Sequence, residues 1–135
     1  MIRFAPPRRM LRFAASERGS TTAEFALVIP AMLLITLGTI NAGVMAFTAG
    51  QLHYATQAAA RCGAVDATNC GTTGATVTYA RTKYTGPDIA PSFTASVSAT
   101  CSTVTGTGTF QFVTGVASLS VPLSAKACYP LQPTS

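Results

Sequence analysis

No aspartate, glutamate, lysine or arginine occurs between Phe25 and Ala60. A stretch that long without charge does not form the outside of a water-soluble globule, in which about a quarter of residues are charged. In the whole chain only 10% are. Histidine is nearly absent: His53 is the single one, and no two cysteines stand in C-x-x-C spacing. Zinc sites draw on such clusters, so no metal is expected. The same scarcity argues against an enzyme. Serines abound, but His53 lies at the edge of the apolar run and Asp66 and Asp88 fall in loop-like contexts, so no nucleophile has an acid–base set. No cofactor is expected.

The formal charge of +5 would suggest an anionic partner if it were spread over a surface. Instead it is concentrated at one end. Residues 1–19 hold Arg3, Arg8, Arg9, Arg12 and Arg18 against Glu17 alone. The rest of the chain sets Arg61, Arg81, Lys83 and Lys126 against Glu24, Asp66 and Asp88. Phosphate binding needs several clustered cations outside such a leader, so nucleic acid is not an expected partner. The interleaved "YARTKY" segment reads as a solvated face.

What the chain does have is a long apolar run. "FALVIPAMLLITLGTINAGVMAFTA", residues 25–49, exceeds the roughly 20 helical residues needed to cross a hydrocarbon core. The arginines precede it and all four cysteines follow it. The positive-inside rule then makes the N-terminus cytoplasmic, and an even cysteine count beyond the membrane suggests two disulfides in an oxidising compartment. Gly38, Ala42, Ala46 and Gly50 recur every four residues, a small-residue stripe where another helix can approach. Pro30 removes one helical hydrogen bond and is expected to loosen the helix locally. "QLHYATQAAARCG" continues the helical spacing through Leu52, Ala55, Ala59 and Cys62, with Gly63 as its C-cap. A helix from about Thr22 to Cys62 is roughly 60 Å long.

Residues 64–135 form a small outer part. "TTGATVTYARTKYTG" reads as a short helix with Thr73, Val77, Ala80 and Tyr84 on one face, although its threonines also suit a strand. "GPDIAPS" is a loop. "SFTASVSATC" alternates Phe93, Ala95, Val97, Ala99 and Cys101 against Thr and Ser, the strongest strand signal in the chain. "GTFQFV", with Phe110 and Phe112 on one face, gives a second strand. "VASLSVPLSAKACY" gives a third, in which Pro122 marks an edge or a bulge. The expected fold class is α+β: a long N-terminal helix packed on a small antiparallel meander. Four cysteines allow three connectivities. Cys62–Cys70 as a local loop and Cys101–Cys128 as a strand-to-strand link are preferred. Strand parity resists the second pair, because Cys101 falls on an apolar face and Cys128 beside Lys126 on a polar one; a bulge at Pro122 would reconcile them.

Glu24 stands at the lip of the apolar run, although an ionised group at mid-bilayer costs about 2.5–3.5 kcal/mol even on the mildest insertion scale. One explanation is local. "TTAE" is a capping box, with Thr21 as N-cap and Glu24 as N3. The other explanation is a resemblance. A basic leader ending in glycine, then "STTAEF", then a long apolar helix resembles the class III signal sequences of type IV pilins and pseudopilins. More closely, "GSTTAEFALVIPAMLLITLG" followed by "QAAARCGA", with "LSAKACYP" near the end, resembles TadE-like pseudopilins (minor pilins) of tight-adherence pili.

The resemblance implies cleavage between Gly19 and Ser20 by a prepilin peptidase of the bacterial inner membrane. The leader is then residues 1–19 and the helix 20–63, with 64–135 a disulfide-stapled periplasmic domain. It implies that Glu24, followed by Phe25, meets the free amine of a neighbouring subunit during assembly. Other pilins and pseudopilins, and the pilus assembly machinery, are the implied partners. Where relatives often carry an acid and then a base late in the membrane helix, this chain has Asn41 and Val44. Three other readings stay open. A type II secretion pseudopilin shares the anchor, a conventional signal peptide would be cut after "VMA" (Val44 to Ala46), and a single-pass anchored or secreted module would use its sheet to bind a ligand.

Overall fold

The computed structural model describes residues 20–113 and 117–131. The arginine-rich leader and Gly19 lie outside the described residues, as do 114–116 and 132–135. Three helices come first, α1 (Ser20–Val65), α2 (Ala67–Cys70) and α3 (Thr73–Lys83). Three strands follow, β1 (Ser92–Val97), β2 (Cys101–Val113) and β3 (Ser118–Pro130), antiparallel in the order β1-β2-β3. The fold is α+β, a long N-terminal helix on a three-stranded antiparallel meander.

Neither of the two expected helix caps stands at an end of α1. Thr21 already has helical backbone, since α1 includes Ser20, so it is not an N-cap. At the other end α1 runs past Gly63 to Val65. Gly63 is therefore a contact residue and not a C-cap. A Cβ there would lie 2.7 Å from Ser102 Oγ and 3.2 Å from Thr76 Oγ1, so the missing side chain is what lets α1 meet β2 and α3 at this level. Asp66 then reverses the chain. Its Oδ1 accepts from the Thr68 and Asn69 amides and its Oδ2 from Asn69 Nδ2, capping α2. These bonds, the Asn69 side chain's first, hold its carboxyl below the usual aspartate range. The segment 73–83 is helical, capped by Thr72 Oγ1 accepting from the Ala75 amide.

In the sheet, the alternation that marked residues 92–101 as one strand crosses a turn. β1 ends at Val97 and pairs with Ser102, and the turn is closed by the Ser98 amide donating to the Cys101 carbonyl at 2.9 Å. Odd-numbered residues face the core on β1, but the reversal puts even-numbered ones there on β2. Val104 pairs with Ala95 and Gly106 with Phe93. Cys101 thus sits on the outer face with Thr103, whose partner on β3 is Cys128. This turn supplies the parity change that a bulge at Pro122 was expected to provide. The β2–β3 register is unbroken from Cys101↔Pro130 to Val113↔Ser118, so no bulge exists. Pro122 lies opposite Thr109, whose amide donates away from β3 to the Ile89 carbonyl at 3.0 Å. At that phase of the ladder β3 needs no inward donor, and proline is tolerated on an edge strand.

The core between α1, α3 and the sheet is short of large side chains. Leu52, Phe93 and Val104 pack with Ala55, Ala59, Ala60, Ala80 and Ala125. Such small residues permit close approach, and Gly106 is its extreme. A Cβ on Gly106 would lie 2.8 Å from Phe93 Cε1, 2.9 Å from Thr56 Cγ2 and 3.0 Å from Leu52 Cδ1. Because neighbours crowd in from both β1 and α1, none can yield without disturbing another. Gly106→Ala is expected to cost about 1–3 kcal/mol by overpacking. A thermal melt of the full chain in detergent checks this; an unchanged midpoint would mean the contact is looser than described.

Two disulfides join the elements. Cys62–Cys70 closes the turn after α1, with Cα atoms 5.7 Å apart, and Cys101–Cys128 links β2 to β3, with Cα atoms 5.8 Å apart.

Candidate functional site

The sequence divides into two compact units, one ending at Thr36 and one running from Leu37 onward. In the first, the described residues from Thr22 to Thr36 are all exposed. Glu24 and Phe25 lie in helical backbone, and Phe25, Leu27, Met32 and Ile35 expose 63, 79, 63 and 70% of their surface. Apolar exposure on that scale, on every side of a helix, needs lipid or protein around it. Among the described residues α1 is the one helix long and apolar enough to cross a membrane.

Its polar side chains are arranged for a dry setting. Thr36 Oγ1 donates to the Met32 carbonyl at 2.8 Å, Asn41 Nδ2 to the Leu37 carbonyl at 2.9 Å, and Thr48 Oγ1 to the Val44 carbonyl at 2.7 Å. Returning each donor to the helix's own carbonyls removes the cost of burying it unpaired. Asn41 is thus a neutral amide bonded to its own helix.

The second unit begins with the stripe. Gly38, Ala42, Ala46 and Gly50 are all exposed, and a Cβ on Gly38 or Gly50 would meet nothing within 4 Å. A different face of the same helix carries Thr48, Leu52, Ala55 and Ala59, each 0% exposed. The stripe is therefore free of intramolecular packing. His53, exposed, contributes its carbonyl to Thr56 Oγ1 at 2.8 Å.

One feature escaped the sequence reading. An open cleft of about 780 Å³ gathers Arg61 of α1, Lys83 of α3 and Lys126 of β3 with Tyr54, Tyr79 and Tyr129. Lys83 Nζ lies 5.1 Å from the centre of the Tyr79 ring, a cation–π distance. Asp66 also lines the cleft, but its carboxylate is committed to α2. Tyr79 and Lys83 lie in "YARTKY", and Lys126 and Tyr129 in "LSAKACY". Only the tertiary fold places them together with Tyr54 and Arg61, seven residues apart on α1. Among the described residues no group of three or more His, Cys, Asp or Glu is placed to hold a metal.

Comparison with known proteins reaches the N-terminal part of the chain. Residues 19–61, roughly a third of its length, match the family model described as "TadE-like protein". No curated protein and no solved structure matches the chain. The match begins at the glycine of "GSTTAEF" and ends one residue before Cys62, so it covers Glu24, the apolar run and the stripe and leaves the sheet outside. Over residues 19–61 the chain is similar to TadE-like proteins.

Proposed function

We propose that this protein is a minor pilin or pseudopilin. It is held in the inner membrane by residues 25–49 with the N-terminus cytoplasmic, is cut by prepilin peptidase after Gly19, and enters or primes a tight-adherence pilus through α1. The observation that carries this reading is the helix itself. It is exposed and apolar from Phe25 onward, open along Gly38, Ala42, Ala46 and Gly50, and matched to TadE-like proteins over residues 19–61. The function is one of assembly and not of catalysis. Cleavage after Gly19 creates an amine on Ser20, four residues before Glu24, and helix packing along the stripe brings copies close enough for carboxylate and amine to meet. A carboxylate in low dielectric is strongly favoured by an opposite charge and costly without one. The other pilins, the peptidase and the assembly machinery are the partners this role requires.

The test is the N-terminal residue of the protein purified from membranes of a host with active prepilin peptidase, read by intact mass. A start at Ser20 is the expected result. A start at Met1 would reduce "GSTTAEF" to the opening of a membrane helix, and a start at Phe47 would make the chain a secreted module. That second reading, a ligand-binding module, is favoured by one observation, the cleft of three cations and three tyrosines, whose chemistry suits an anionic ligand.

A further inference from the structure

Cations are scarce beyond the apolar run, and most of them meet. There are four, Arg61, Arg81, Lys83 and Lys126, and the chain has four tyrosines, Tyr54, Tyr79, Tyr84 and Tyr129. Three of each set line the same cleft of about 780 Å³. The fourth tyrosine, Tyr84, is engaged elsewhere, its hydroxyl donating to the Pro87 carbonyl at 2.6 Å.

Each element reaches the cleft by its own periodicity. Tyr54 and Arg61 are two turns apart on one face of α1, a separation of about 10.5 Å. Tyr79 and Lys83 share a face of α3 at i, i+4 spacing, with Lys83 Nζ 5.1 Å from the Tyr79 ring centre. Lys126 and Tyr129 fall on opposite faces of β3, one on each side of the sheet's free margin. Lys126 and Cys128, which also lines the cleft, share the phase of Pro122. Their amides therefore point off that margin and add donors to those of the side chains.

This donor set is not satisfied within the molecule. Among the described residues Arg61, Lys83 and Lys126 form no ion pair, and the hydroxyls of Tyr54, Tyr79 and Tyr129 make no hydrogen bond. Asp66 is the one acid lining the cleft. Its carboxyl is lowered by its bonds to Asn69 and Thr68, with no cation among the causes. Three unpaired cations in one concavity repel one another and attract an anion.

The tyrosines narrow the class of anion. Each ring has an electron-rich face and a hydroxyl at its tip. Lys83 already stands over Tyr79, which leaves Tyr54 and Tyr129, 57% and 36% exposed, as the open rings. A matching ligand has a C–H-bearing face, polar groups around its rim and a negative charge. A sugar ring carrying a carboxylate has all three, in a unit that a cleft of this size accommodates. Single-stranded nucleic acid also combines charge with stackable rings, but it is charged at every unit and needs a basic groove to follow. Here the cations stop at the cleft, and from Ile89 to Ala125 the chain carries no charge at all.

We propose that the cleft between α1, α3 and the β3 margin binds acidic saccharides, with the carboxylate held among Arg61, Lys83 and Lys126 and the sugar ring against Tyr54 and Tyr129. This rests on the ligand-binding reading of the cleft and names its ligand class. It does not depend on where the chain is cleaved.

The full-length protein in a sugar-free neutral detergent is titrated calorimetrically with trigalacturonate, its fully methyl-esterified form, inorganic phosphate and a short oligothymidylate. Trigalacturonate is expected to bind at least about 10-fold more tightly than the ester, which cannot make charge-assisted bonds. Arg61→Gln and Lys126→Gln should each weaken it by about 10-fold or more, the loss of one such bond. Tyr54→Leu should weaken trigalacturonate by about 5-fold and leave phosphate unchanged, since only the sugar uses the ring. Arg81→Gln, on α3 but outside the cleft, should bind as the parent does. All four positions are exposed, and an intact mass showing both disulfides establishes that each variant has folded. Trigalacturonate binding no tighter than phosphate or the oligothymidylate overturns the saccharide assignment and leaves an anion site in place. Equal affinity for acid and ester overturns the role of the cations. Equal losses in Arg81→Gln and Arg61→Gln would show a response to net charge alone and overturn the site. Absence of binding to every probe overturns the ligand-binding reading itself.

Discussion

Glu24→Gln is expected to leave the protein folded, membrane-inserted and cleaved, while its incorporation into pili falls by about 100- to 4,000-fold. The magnitude follows from the loss of one member of a desolvated ion pair, about 3–5 kcal/mol, at about 1.4 kcal/mol per tenfold. Glutamine separates the two roles the residue can have. It keeps the side chain's size and hydrogen-bonding ability and removes only its charge, so a role that does not need the charge predicts no change. Glu24 is exposed on α1, and the substitution disturbs no packing within the chain. The measurement is the ratio of variant to parent protein in sheared pili against that in membranes, normalised to a constant shaft subunit. Equal ratios would sink the charge-pair mechanism while leaving the helix stripe as the remaining determinant of assembly.

Removing the Cys101–Cys128 disulfide is expected to have the largest effect on stability. Its cysteines are 27 residues apart, for which loop-closure entropy gives about 3.5 kcal/mol. Cys62 and Cys70 are 8 apart, giving about 2.5 kcal/mol. For a domain of this size the first corresponds to a fall in thermal midpoint of about 15–25 °C. The core offers little to offset it, since five of its eight residues are alanine and small domains draw only about 3–5 kcal/mol from their cores. The double variant Cys101→Ala, Cys128→Ala, followed by near-ultraviolet circular dichroism of the tyrosines, tests this. A shift under about 5 °C would mean the sheet is held chiefly by its contact with α1.

The helix and its likeness to TadE-like proteins were legible because their signals are local. Thirty-six residues without charge, a small-residue period of four and "GSTTAEF" each lie within one continuous segment. The sheet was legible only in part. Period-two alternation marked Phe93 to Val97 and Leu119 to Ala127, but it cannot register a two-residue turn flanked by polar residues. The strand signal therefore ran through Ser98 and Thr100 to Cys101, and the cysteine's face was inverted. The first half of β2 was missed because "CSTVTGTG" carries two glycines, which count against a strand in isolation. Gly106 is required there by the approach of Phe93, Thr56 and Leu52, a reason that exists only once α1 and β1 are in place. Gly63 misled in the same way: a glycine near a helix end suggests a cap, yet its role is contact with Ser102. The cleft was invisible because its six basic and aromatic residues come from three elements.

Pro122 has a consequence for the free margin of the sheet. A strand at the margin of a sheet normally offers alternating donors and acceptors to any passing strand, and that is the usual route to disordered aggregation. On β3 the outward donors fall at the phase of Pro122, which Pro130 shares, so two of them are missing. Between them Lys126 adds a charge to the strand. A β3 edge finished in this way resists pairing with another strand, which in the proposed pilus would leave assembly to the helices.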